Sequence, residues 1–67
     1  MEITVNNQPL TLPETVAVDQ LLSAVLHIST SGIAVAVNQS VISKSDWSAH
    51  MLQAGDRVVL IKATQGG

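Results

Sequence analysis

Apolar residues recur at a helical period in one stretch of this chain, where Val18, Leu21, Leu22, Val25 and Leu26 stand at i, i+3, i+4, i+7 and i+8. That spacing places all five on one stripe of an amphipathic helix, and such a stripe has to be buried against another element. The remaining apolar residues follow strand patterns instead. Ile3 and Val5 flank Thr4, and Leu10 and Leu12 flank Thr11, which is the alternation of strands buried on one face. Ile33-Ala34-Val35-Ala36-Val37 is a continuous apolar run, and Arg57-Val58-Val59-Leu60-Ile61-Lys62 is apolar in its middle and charged at both ends. Continuous runs of this length suit interior strands. One helix among several strands calls for an α+β domain in which the helix lies across a sheet.

Turn residues set the order of these elements. Asn6-Asn7-Gln8-Pro9 separates the first two strands as a hairpin turn, and Pro13-Glu14-Thr15 breaks the second strand ahead of the helix. The helix start carries a weak signal: Thr15 can cap early, Ala17 is a poor cap, and Asp19 in the first turn suits the helix dipole. Ser29-Thr30-Ser31-Gly32 ends the helix, Asn38-Gln39-Ser40 forms a turn, and Val41-Ile42-Ser43 makes a short strand. Ser45-Asp46-Trp47 resembles a capped helical turn reaching about His50, and Gly55-Asp56 turns the chain into the last strand. The predicted architecture is a mixed four- to five-stranded sheet with one main helix on one face and a short helical turn, the β-grasp arrangement. Its last strand is expected to lie centrally. The domain is expected to span residues 1–63, with residues 64–67 as a C-terminal tail.

The chain has 67 residues, 46% hydrophobic and 12% charged, enough for one core and no second domain. A domain of this size buries only about 60% of the surface its unfolded chain exposes, so a deep water-excluded active site is not expected. Trp47 is the sole aromatic residue, which leaves packing to Val, Leu, Ile and Ala. The formal net charge of -2 is dispersed, and the basic stripe that nucleic-acid binding needs is missing. With no cysteine, the sequence holds no disulfide, thiolate metal site or persulfide. No segment approaches the length of a membrane span, and the expectation is a soluble, cytoplasmic protein.

Catalysis needs a nucleophile beside a base, paired carboxylates or clustered ligands, and the sequence displays none of these. His27 falls at the end of the helix and His50 in the short helical turn, neither with partners at ligand spacing, so both read as structural or surface residues. Trp47 is either an exposed partner anchor or a cap on the edge of the core, and the second reading is favoured because the domain has no other large side chain. The end of the chain stands apart. Gly66-Gly67 follows a strong strand where glycine serves no turn or helix cap and weakens strand structure. One reading is a frayed end. The other is a reactive terminus, because glycine lets the backbone enter a channel in which any side chain would clash. Residues 64–67 span on the order of 13 Å when extended at ~3.3 Å per residue, enough to enter another protein's pocket. Attack of the terminal carboxylate on ATP in a partner would give an acyl-adenylate. Without cysteine, a carried sulfur would sit on the Gly67 carbonyl as a thiocarboxylate.

These residues together resemble the ThiS family of sulfur carrier proteins of thiamin biosynthesis. The likeness rests on Ile3-Thr4-Val5-Asn6-Asn7-Gln8, Val18-Asp19-Gln20-Leu21-Leu22, Ala36-Val37-Asn38-Gln39 with Val41, Trp47, Gly55-Asp56-Arg57-Val58 and Ala63-Thr64-Gln65-Gly66-Gly67. It covers the whole chain. The resemblance implies a ubiquitin-like β-grasp fold and a carrier without catalytic residues or a bound cofactor. It also implies adenylation of Gly67 by a ThiF-type adenylyltransferase using ATP and magnesium, sulfur supplied by a sulfur-donating enzyme, and delivery to the thiazole synthase ThiG. Gly66, Gln65 and Thr64 form the approach to Gly67. Lys62, Arg57 and Trp47 are the candidate partner contacts, Lys62 foremost because the last strand releases the tail there. The sequence departs from the family around Thr15 and Ala17, where a capping Thr is expected at position 17. Other readings are a MoaD-like small subunit of molybdopterin synthase, a ubiquitin-like modifier ligated to lysines, and a non-reactive β-grasp interaction module. Short length and scarce aromatic residues favour the thiamin branch.

Overall fold

The computed structural model describes residues 1–62; residues 63–67, which include the whole predicted tail, lie outside the described part. Strands β1 (Glu2–Val5), β2 (Gln8–Thr11), β3 (Ile33–Val37), β4 (Ser40–Ile42) and β5 (Arg57–Lys62) form one sheet in the order β2-β1-β5-β3-β4. β5 is central as expected. It pairs parallel with β1 and antiparallel with β3, while β1–β2 and β3–β4 are antiparallel hairpins.

Both hairpins close through two residues with positive φ, Asn6 (50°) with Asn7 (67°) and Asn38 (51°) with Gln39 (71°). Right-twisted strands favour turns of this hand, and Asn tolerates the left-handed region better than most side chains. The first turn is therefore shorter than predicted, and Pro9 belongs to β2, paired with Thr4. The pairing permits this because β2 is an edge strand and Thr4 directs its N–H the other way, to the Asp56 carbonyl at 3.0 Å. Pro9 thus stands where the ladder asks for no donor. The second turn is likewise shorter, and β4 begins at Ser40.

The helix runs as α1 (Val18–Gln20) and continues as a π-helical turn (Leu21–Val25), in which the Leu26 N–H reaches five residues back to the Leu21 carbonyl at 2.9 Å. His27 then takes φ 54°, and the Ile28 N–H folds back onto the Leu22 carbonyl at 3.0 Å, so the helix ends before Ser29. The left-handed residue closes the helix as glycine often does. At the other end Ala17 occupies the cap position without a capping side chain. The open N–H groups find carbonyls from far along the chain: Val18 N–H bonds to His50 and Asp19 N–H to Trp47, at 3.1 and 3.4 Å. Gln20 Oε1 accepts the Ala17 N–H at 3.0 Å. Thr15 does not cap; its hydroxyl donates to the Leu52 carbonyl.

Strand alternation assigns Ile3, Leu10, Val35, Val37, Ile42, Val58 and Leu60 to the face under the helix, where they join Val18, Leu21, Leu22, Leu12 and Leu52 in one core. Trp47 is only 4% exposed and closes that core, its indole N–H donating to the Ile42 carbonyl at 2.9 Å. It follows a 3₁₀ turn (Lys44–Asp46) that continues to His50 through bonds from the Ala49 and His50 N–H groups to the Asp46 carbonyl. Gly55, at φ 89°, makes the last turn before β5 and donates its N–H to the Glu2 carbonyl at 2.7 Å.

Candidate functional site

Among the described residues, no helix lies across the opposite face of the sheet. Pairings of Ala34 with Ile61, and of Ala36 with both Val59 and Val41, set these five apolar residues on that face. Val41, Ile61 and Val59 are 73%, 51% and 41% exposed. The strip is bordered by Arg57 and Thr4 along the parallel β1–β5 pair and by Glu2 beyond them. A contiguous apolar strip with a polar border is the usual mark of a surface that meets another protein.

Sequence reading did not single out this strip, although the signal for it was present. A chain with one amphipathic helix can cover one face of a sheet, yet β3 and β5 carry apolar residues at both odd and even positions. The surplus at Ala34, Ala36, Val59 and Ile61 belongs to the uncovered side.

The predicted contacts fall in three different settings. Arg57 and Lys62 are exposed at opposite ends of β5, on the order of 17 Å apart at ~3.4 Å per residue, and point to opposite faces. Arg57 belongs to the open face. Lys62 adjoins a shallow groove on the helix side, lined by Asn6, Ile28, Ser29, Ile33 and Leu60. Trp47 takes the core-edge reading favoured from the sequence rather than that of a partner contact: its ring is buried, with the Lys44 ammonium 5.9 Å from the ring centroid, and it offers no exposed anchor. Gly67, Gly66, Gln65 and Thr64 lie outside the described residues.

The hairpin asparagines hold β5 at two points, its first residue Arg57 and Leu60. Asn38 Oδ1 accepts the Arg57 N–H at 2.9 Å, while its Nδ2 donates to Asp56 Oδ1 at 3.0 Å. Asn6 Oδ1 accepts the Leu60 N–H at 2.8 Å. Among the described residues no group of three or more His, Cys, Asp or Glu side chains converges as a metal site, and no helix is long and apolar enough to cross a membrane.

Among the described residues, a mixed five-stranded sheet whose last strand runs through its centre, with one helix across one face, defines the ubiquitin-like β-grasp class. Comparison with known proteins narrows the class. The ThiS family model matches residues 1–67. Sulfur carrier protein ThiS of Escherichia coli (strain K12) is 31% identical over 67 residues, covering 100% of both chains. The crystal structure of the thiamine biosynthesis protein ThiS from Geobacter metallireducens superposes with a TM-score of 0.87 at 30% identity, covering 100% of both chains. The solution structure of a thiamine biosynthesis protein from the same organism gives a TM-score of 0.79 at 31% identity, over 100% of this chain and 88% of that one. The chain belongs to the ThiS family.

Proposed function

We propose that this protein is the sulfur carrier of thiamin thiazole synthesis and that the carboxyl of Gly67 is its attachment point. The observation that carries the reading is the placement of β5: the central strand of a ThiS-family domain is the segment that precedes Ala63-Thr64-Gln65-Gly66-Gly67 in the sequence. A carboxylate is a poor acylating group. In the site of a ThiF-type adenylyltransferase, with that enzyme's ATP and magnesium, a Gly67 carboxylate oxygen attacks the α-phosphorus and pyrophosphate leaves. Hydrosulfide from a sulfur-donating enzyme then attacks the carbonyl carbon, the bond to AMP breaks, and the product is a thiocarboxylate for delivery to the thiazole synthase ThiG. All the chemistry is done by partners. This chain supplies the reacting carbonyl and the surface by which it is held.

The adenylyltransferase is the partner assigned to the open face. The apolar strip on β3, β4 and β5 includes Ile61, one residue before the end of the strand that feeds the tail. From Lys62 to Gly67 the backbone reaches about 16 Å when extended at ~3.3 Å per residue. An enzyme bound to the strip can therefore receive the terminus in a pocket beside it.

The test is intact-mass measurement after incubation with the activating enzyme, ATP and a sulfur donor. The expected product has gained the mass difference of one oxygen exchanged for one sulfur, localised to the C-terminal peptide. Absence of that species, with the enzyme active on an authentic ThiS, would sink the proposal.

A further inference from the structure

The structure assigns Asn6 as a positioning residue for the tail: its side-chain carbonyl holds the Leu60 N–H and thereby fixes the point at which β5 stops being supported on its β1 side. The parallel ladder between β1 and β5 runs through the bonds Thr4 N–H to Asp56 and Asn6 N–H to Val58, at 3.0 and 2.9 Å. In a regular parallel pair the next bond would run from the Leu60 N–H to the backbone carbonyl of Asn6. Asn6 has already entered the hairpin turn at φ 50°, and the residues after it leave toward β2. Its amide oxygen takes over, accepting the Leu60 N–H at 2.8 Å across 54 residues of sequence. One side chain thus extends the two-sided pairing of the central strand as far as Leu60, in the groove that also contains Lys62. Position 6 demands both a left-handed backbone and a short acceptor, a combination that Asn and Asp supply.

The inference rests on the carrier reading, and its consequence concerns the geometry of delivery. If the Leu60 bond is lost, the end of β5 keeps its β3 partner but gains freedom on the other side, and the terminus is presented less accurately to a partner docked on the open face. Asn6→Gly keeps the backbone conformation and removes the acceptor, whereas Asn6→Asp keeps both. Asn38→Gly is the control, because it removes the corresponding clamp at Arg57, the end of β5 remote from the tail. In Asn6→Gly the Leu60 amide is expected to exchange with solvent roughly five- to tenfold faster, the equivalent of one net hydrogen bond. The kcat/KM for adenylation of the full chain is expected to fall about tenfold, as misplacement of a reacting group allows. Asn6→Asp should restore both quantities, and Asn38→Gly should lower thermal stability while leaving adenylation within about twofold of wild type. Unchanged Leu60 exchange in Asn6→Gly, unchanged kcat/KM, or an equal kcat/KM loss in Asn38→Gly would each overturn the assignment. A wild-type protein that is itself not adenylated would overturn the carrier reading and this assignment together, so the two failures are told apart.

Discussion

The two faces of this sheet carry almost the same kind of side chain and play opposite parts. Under the helix, Val35, Val37 and Val58 are buried; on the other side, Val59, Ile61 and Val41 stand in solvent with comparable aliphatic surface. Strand alternation sends neighbouring residues of one segment to different destinations, so Val58 enters the core while Val59 stays partly exposed on the open face. In a domain with one helix, hydrophobicity identifies the core only once the covered face is known. The apolar residues on the open face are available for association.

That contrast is broken most directly by exchanging the severity of substitutions across the sheet. Leu22→Ala beneath the helix is expected to cost about 2–5 kcal/mol, measured by urea denaturation, which is much of the stability of so small a domain. A cost below about 1 kcal/mol would show that the covered face is not the main core. Ile61→Glu tests the open face: burying an unpaired carboxylate in the interface should weaken binding to the activating enzyme about tenfold or more by calorimetry. The urea midpoint should stay close to wild type in that variant. Full binding by Ile61→Glu would remove the strip from the interface. Trp47→Phe keeps most of the ring volume at the core edge and loses the bond to the Ile42 carbonyl, so a loss of about 1 kcal/mol is expected in the same denaturation experiment. Ala17→Ser should add less than about 0.5 kcal/mol, below the usual value of a new helix cap, because the first N–H groups already have partners. A gain above about 1 kcal/mol would mean that those distant carbonyls are weak substitutes for a cap.

Much of the architecture was legible in the sequence because local pattern and global fold agree. The spacing from Val18 to Leu26 announced the helix, and the apolar middle of Arg57–Lys62 announced a central strand. What escaped depended on contacts distant in sequence. Pro9 read as part of the hairpin turn, and only the pairing of β1 with β5 reveals that its missing donor is not needed in β2. The π-helical widening after Gln20 leaves the apolar spacing nearly intact, so periodicity does not register it. For the candidate site, the residue types around the tail were clear from order and composition, but exposure decided between surface and core: it placed Trp47 at the core edge, the favoured of its two readings, and brought Ile61 to the open face. Both could have been approached by counting helices against apolar strand faces.

The start of the helix has a consequence for the order in which the protein can fold. Its cap consists of the Trp47 and His50 carbonyls, about thirty positions downstream of the N–H groups they receive. A short isolated helix is marginal in water, and this one has no side-chain cap of its own. On the ribosome, the segment beginning at Val18 would remain a fluctuating helix until the chain beyond His50 had emerged. Closing so large a loop early is entropically unfavourable, which predicts slow, cooperative folding in which the helix and the downstream turn form together. Nascent chains ending before His50 would then be unable to hide the apolar stripe, and completion of the fold would coincide with arrival of the last strand.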